Sequence, residues 1–252
     1  MGRSTPQDCR RKNREGHHAV TPFVLTGTIV PNAVPTIHND VHHRRDEYER
    51  AIRFYLGFGP VYFIENSDYP VFEDSFFTST PALKTIQYPK SLLAVRGKGY
   101  QEFEMLDAFV SRHLREELFI KVTGRYLYKN ISDMVPRMVS QLSRGGIVID
   151  LMFREKKAIV SLFGASKSFY ILNMMGAYRD MDDPSGLWAE FVLYRRIKQT
   201  HASTFLRPNP VLHAVMGSTG QTIEMPHKGF KSWLKNRERQ LFSAAGVREL
   251  LF

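Results

Sequence analysis

The sequence predicts an α/β fold: a mainly parallel central sheet flanked by helices, with a more mixed C-terminal part. Two observations carry that expectation. Through the first half, short apolar and β-branched runs alternate with helix-period stretches, the pattern of strands joined by crossover helices. Each run also ends in a polar group, and three of the four groups contain glycine: Thr26-Gly27-Thr28, Glu65-Asn66-Ser67, Arg96-Gly97-Lys98-Gly99-Tyr100 and Thr123-Gly124-Arg125-Tyr126. Open α/β sheets collect ligands beyond the carboxyl ends of their strands.

Taken in order, residues 1 to about 20 predict a disordered basic tail. "FVLTGTIVP", Phe23 to Pro31, predicts a strand entering a loop stopped by "PNAVP". Arg44 to Leu56 predicts a helix with Tyr48, Ile52 and Tyr55 on one face and Asp46, Glu47 and Glu49 in its first turns. Val61 to Ile64 is the second strand. "SLLAVRGKGY" predicts a short third strand and a glycine-rich turn, with a helix from Gln101 to about Leu114 behind it. "LFIKVTGRY" is the fourth strand. Beyond it, "GIVIDLMF" and "AIVSLFGAS" pair as a hairpin, Ser168 to Met175 forms a short helix, and Leu187 to Lys198 forms an amphipathic one. The last segment is basic, with Phe230, Trp233, Leu234, Leu241 and Phe242 spaced among Lys and Arg.

Composition narrows the function. A chain of 252 residues can bury a real core, and no linker forces a boundary within it. The net charge of +10 predicts an acidic partner: nucleotide phosphates, nucleic acid or an anionic membrane face. Dispersed basic residues and the lack of a nucleic-acid motif argue against the second. The one cysteine, Cys9, precludes an internal disulfide and fits a reducing cytoplasm. No apolar run approaches the ~20 residues that span a bilayer, and no h-region follows the basic start. His38, His42 and His43 show a nominal zinc spacing without a third ligand. No P-loop, CxxC pair or Ser-His-Asp order is present.

The strand-exit groups suit a nucleotide. Glycine permits close backbone approach, and Lys and Arg neutralise phosphate. A helix opening at Gly99-Tyr100 aims free N–H groups at an anion. Any one group alone also fits an ordinary turn.

"VLTGTIVPN", "YFIENSDYP", "RGKGYQEFEML", "FIKVTGRYLYKNI", "VIDLMF" and "WAEFVLY", in that order, resemble a family of bacterial glycosyltransferase-like proteins encoded among capsule and lipopolysaccharide genes. The K-G-Y-x-E block, ending at Glu102, and the K-x-T-G-R-Y block are its most specific parts. The resemblance implies a GT-A-like (Rossmann-type) domain over residues 21–252, with a nucleotide-binding half to about 135 and an acceptor half after it. It implies a nucleotide-sugar as co-substrate, with Thr26, Gly27, Thr28, Glu65, Asn66, Ser67, Lys98, Gly99, Tyr100, Glu102, Thr123, Gly124, Arg125 and Tyr126 around the donor.

In a typical GT-A enzyme the fourth strand exits into an Asp-x-Asp pair that holds a divalent metal. Here that place is Thr123-Gly124-Arg125. The expectation is therefore a transferase without a metal or other cofactor, in which Arg125, helped by Lys98, takes the phosphates. Arg125 paired with a local carboxylate is the alternative. Glu190, opening a late helix, is the first choice for the base that deprotonates an acceptor hydroxyl, with Trp188 as a sugar-stacking platform. Asp150, inside an apolar strand, is the second choice, and needs a partner such as Arg154 or Arg125. A lipid-linked or oligosaccharide acceptor, and a cytoplasmic site at the inner membrane face reached through the basic C-terminal segment, complete the expectation. A non-catalytic GT-A-like scaffold and a nucleic-acid-binding protein are the competing readings.

Overall fold

A computed structural model describes residues 21–31, 39–200, 202–215 and 222–225. The expected basic tail with Cys9, His38, and the C-terminal aromatic and basic segment lie outside the described residues. Seven strands form the main sheet in the order β3-β2-β1-β4-β7-β6-β8. They are β1 (Phe23–Gly27), β2 (Val61–Glu65), β3 (Leu83–Gln87), β4 (Leu118–Thr123), β6 (Ile147–Met152), β7 (Lys157–Ser166) and β8 (Ser203–Thr204). Strands β3, β2, β1 and β4 are mutually parallel, and β7 runs antiparallel to both β4 and β6. A small antiparallel sheet joins β10 (Thr222–Met225), β9 (Leu212–Val215) and β5 (Leu127–Tyr128). This is the mainly parallel α/β architecture that the alternation predicts, of the GT-A or Rossmann-like kind.

Strand residues alternate between two cores. Val24, Tyr62, Ile64 and Phe119 face a core with helices α3 (Lys98–Arg112), α5 (Lys167–Asn173) and α6 (Ala189–Lys198). Phe23, Leu25, Phe63, Ile120 and Val122 face the other, with α1 (Val41–Leu56), α2 (Ser75–Ser79) and α4 (Ile131–Leu142). Burial on both faces is why these strands carry continuous apolar runs. Asp40 caps α1, which opens at Val41, three residues ahead of the expected Arg44, and its carboxylate accepts from the His43 N–H at 2.6 Å.

Three elements depart from expectation. The third strand is Leu83–Gln87, not the stretch after Ser91, which folds into a 3-10 turn over Ala94–Arg96. Leu92 and Val95 there are 99% and 81% exposed, so the apolar run that suggests a strand has no core to enter. Helix α4 is unanticipated from the sequence because Pro136 sits inside it. Its Ile131, Met134, Met138 and Leu142 nonetheless fall on one buried face. Helix α6 opens at Ala189 and leaves Leu187 and Trp188 outside, with Val192, Leu193 and Ile197 on its buried face in place of Leu187. The expected hairpin is present as β6 and β7.

Candidate active site at the switch point

The order β3-β2-β1-β4 means that the chain builds outward from β1, then returns through α3 to place β4 on the far side. The crevice between the carboxyl ends of β1 and β4 is the topological switch point, where open α/β sheets bind ligands. Thr26 and Thr123 sit there as register partners. Gly124 lets the two exits close up: a Cβ on it would stand 2.5 Å from the Thr26 carbonyl oxygen and 3.0 Å from the Tyr48 ring. Gly27 does the same for the Phe63 ring, at 2.5 Å.

Beneath the crevice lies a lysine that the sequence reading passed over. Lys121 is fully buried in β4, and its Nζ lies 2.6 Å from Glu102 Oε1, 3.1 Å from Thr123 Oγ1 and 2.9 Å from the Val160 carbonyl. Glu102 reaches in from α3 and also accepts from the Thr26 hydroxyl at 2.5 Å. A charge inside "LFIKVT" was the available signal, because a fully buried ammonium must be paired.

The loop after β1 is held rigidly. Arg44 donates to the carbonyls of Thr28 and Ile29, Tyr48 accepts from the Thr28 N–H at 2.9 Å, and the Thr28 hydroxyl donates to Asn66 at 2.6 Å. Glu65 accepts from the N–H groups of Ile29 and Ser67 at 3.0 and 2.8 Å, and Ser67 Oγ accepts from Val30. Glu65, Asn66 and Ser67 are therefore a buried scaffold under the loop, and the expectation that they contact a donor is corrected accordingly.

Two further expectations change at α3. The Lys98 N–H is not free for phosphate: Asp183 Oδ2 accepts from it at 2.8 Å, and the Gly99 N–H also bonds to that carboxylate. The positive end of α3 is thus occupied by a side chain from the turn before α6. Tyr100, expected at the donor, is packed in the core, edge-on to Tyr178 with ring centroids 5.2 Å apart. The glycines of "RGKGY" serve the same packing. Gly97 has φ +109°, and a Cβ there would overlap the Asp183 carboxylate; a Cβ on Gly99 would lie 2.9 Å from that of Ala189. Gly97→Ala is expected to cost about 1–3 kcal/mol of stability, measured by denaturant unfolding, since it combines left-handed strain with that overlap.

This packing brings the N-termini of α3 and α6 together at the crevice. Glu190 is half-buried in the first turn of α6, with no hydrogen bond to another described residue. Burial, then the Glu102 and Asp183 carboxylates, push its carboxyl above the usual glutamate range, against a smaller pull from Lys157. Lys98 is exposed and makes no ion pair among the described residues. Partial desolvation, then repulsion from Arg44 and Arg125, lowers its ammonium. Three cations therefore converge at this edge.

Arg125 is not the open fork expected. Its Nη1 donates to Glu47 Oε2 at 2.6 Å, both side chains are under a tenth exposed, and the guanidinium lies 5.9 Å from the Tyr48 ring centroid. Only its Nε and Nη2 edge donates to no described residue. Asp150 is buried and accepts from the Leu206 N–H at 3.1 Å, which ties down the segment that follows β8. Trp188 is 43% exposed and stacks on Phe191, with Lys157 Nζ 5.2 Å from its ring centroid. Tyr126 lies partly buried within electrostatic reach of Arg125, Glu102 and Glu190. His42 and His43 lie exposed on α1, and among the described residues no three His, Cys, Asp or Glu side chains gather as a metal-ligand set.

The chain superposes weakly on nucleotide-sugar enzymes. A galactosyltransferase, LgtC, in complex with donor and acceptor sugar analogues is 4% identical, covers 73% of each chain, and has a TM-score of 0.48. The bifunctional glycosyltransferase WbbM is 6% identical over 89% of this chain but 45% of its own, at a TM-score of 0.48. A glucose-1-phosphate thymidylyltransferase from Bacillus anthracis is 11% identical over 93% and 97% of the two chains, at 0.46. Likeness at this level assigns no activity. No family model matches the chain, and no curated protein does.

Proposed function

We propose that this chain transfers a sugar from a nucleotide-sugar to a hydroxyl of a growing surface glycan, of lipopolysaccharide or capsule, without a divalent metal. The observation that supports this reading is the gathering, at the β1–β4 switch point, of an ammonium (Lys98) and a half-buried carboxylate (Glu190) that have no ion-pair or hydrogen-bond partner among the other described residues. In the reaction, the acceptor hydroxyl gives its proton to Glu190 and its oxygen bonds to the anomeric carbon. The bond from that carbon to the diphosphate oxygen breaks, and the electron pair leaves on the nucleoside diphosphate. Lys98 contacts the departing phosphates directly. Arg125, through its open edge, and Arg44 behind it supply a fixed positive field in place of a cation. Trp188 offers a ring face to the acceptor sugar.

Among the described residues no helix is long and apolar enough to cross a membrane. The proposed place of work is the cytoplasmic membrane face, where a lipid-linked acceptor is presented. Lys98→Ala is expected to weaken binding of UDP or GDP about tenfold or more, by calorimetric titration, since a charge-assisted contact is worth about 1.5–3 kcal/mol. Unchanged affinity for both nucleotides in this variant contradicts the assignment. Donor binding with no turnover on any glycan acceptor favours a non-catalytic scaffold instead.

A further inference from the structure

The pair of Lys121 and Glu102 has an asymmetry that points to a ligand. The Lys121 ammonium has three donors and three acceptors, namely Glu102 Oε1, Thr123 Oγ1 and the Val160 carbonyl, so it is fully satisfied and fully buried. All of its contact with Glu102, like those of the Thr26 and Thr123 hydroxyls, falls on the one oxygen, Oε1. Oε2 accepts from no described residue, and the Glu102 side chain keeps 22% of its surface exposed. An ionised carboxylate has roughly four lone-pair sites, and here three donors crowd one oxygen while the other stays open. Charge balance is already met by Lys121, so what Oε2 lacks is a neutral hydrogen-bond donor rather than a cation.

We propose that Glu102 Oε2 accepts a hydrogen bond from a hydroxyl of the donor's sugar ring, making Glu102 a specificity-determining residue and Lys121 its positioning residue. This deepens the transfer reading and rests on it. Glu102 is held by the Thr26 and Thr123 hydroxyls at the exits of β1 and β4 and lies within electrostatic reach of Glu190, which puts it in the crevice where a donor's sugar would lie. A hydroxylated sugar meets a prepared acceptor there, and a ligand without one leaves the carboxylate oxygen to water.

The test compares affinity for UDP-glucose with that for UDP, and for GDP-mannose with that for GDP, by calorimetry on the full chain. Glu102→Gln, which keeps the shape but weakens the acceptor, is expected to lose about tenfold or more for the nucleotide-sugar that the wild type prefers. Affinity for the matching diphosphate should be unchanged. Lys121→Met is expected to shift the same ratio, and the double variant to be no worse in that ratio than Glu102→Gln alone. A general loss of fold would lower both affinities together, so the ratio separates positioning from mere structure. If the single variant Glu102→Gln weakens sugar and diphosphate forms equally, or neither, the inference is overturned. A wild type that binds the diphosphates but gains nothing from the sugar also overturns it and leaves phosphate binding standing. A wild type that binds none of the four probes overturns the transfer reading and this inference together.

Discussion

Glu190→Gln is expected to lower the rate of sugar transfer about 10²–10⁴-fold while leaving nucleotide-sugar affinity unchanged. The amide keeps the volume and the place at the start of α6 but cannot take the acceptor's proton. The reason for choosing Glu190 over Asp150 is geometric. Glu190 is half-buried and accepts from no other described residue, whereas Asp150 is buried and bonds to the Leu206 N–H. The pH profile supplies an independent readout. A base works only when deprotonated, and burial together with Glu102 and Asp183 raises the Glu190 carboxyl. Turnover should therefore fall, as pH drops, at a higher pH than an exposed glutamate would give, and that acid limb should vanish in Glu190→Gln. A variant that retains wild-type turnover removes Glu190 from the mechanism.

Glu47→Ala is expected to destabilise the fold by about 3–5 kcal/mol, read from chemical denaturation. The substitution strands the Arg125 guanidinium, which is 8% exposed and bonded to Glu47 at 2.6 Å, in a buried site beside Tyr48. Removing both charges, as Glu47→Met with Arg125→Met, should cost much less than the sum of the single changes, because no uncompensated charge remains. The same pair sets the terms for any binding test on Arg125. Arg125→Ala removes the guanidinium that Glu47 is bonded to in a buried site, so lost nucleotide binding in that variant has to be measured at a temperature where the chain is shown to be folded. Additive single effects, or a negligible cost for Glu47→Ala, would mean that the ion pair is an incidental contact.

The sheet was largely legible because strands buried on both faces write continuous apolar runs, as in Phe23–Gly27 and Leu118–Thr123. The same rule misled at Ser91–Val95, where an apolar run lies on the surface and the real edge strand, Leu83–Gln87, is only partly buried. The meeting of the strand exits was legible too: the polar residues that end β1 and β4 lie side by side at the crevice. Their individual contacts were not, because each depends on a partner far along the chain. Asp183 closes the N-terminus of α3 from 85 residues away, and Glu47 reaches Arg125 across 78. No local spacing encodes such pairs. Lys121 did carry a local signal that the reading passed over, since an ammonium in an apolar strand announces that a carboxylate must come to it.

The measurement that bears most directly on the central claim is calorimetric titration of the full chain with nucleotides and nucleotide-sugars in excess chelator. The account predicts that a nucleoside diphosphate binds without divalent metal, that Lys98→Ala weakens it, and that oligonucleotides do not compete. Binding that requires added metal, or that survives unchanged without Lys98, would contradict it.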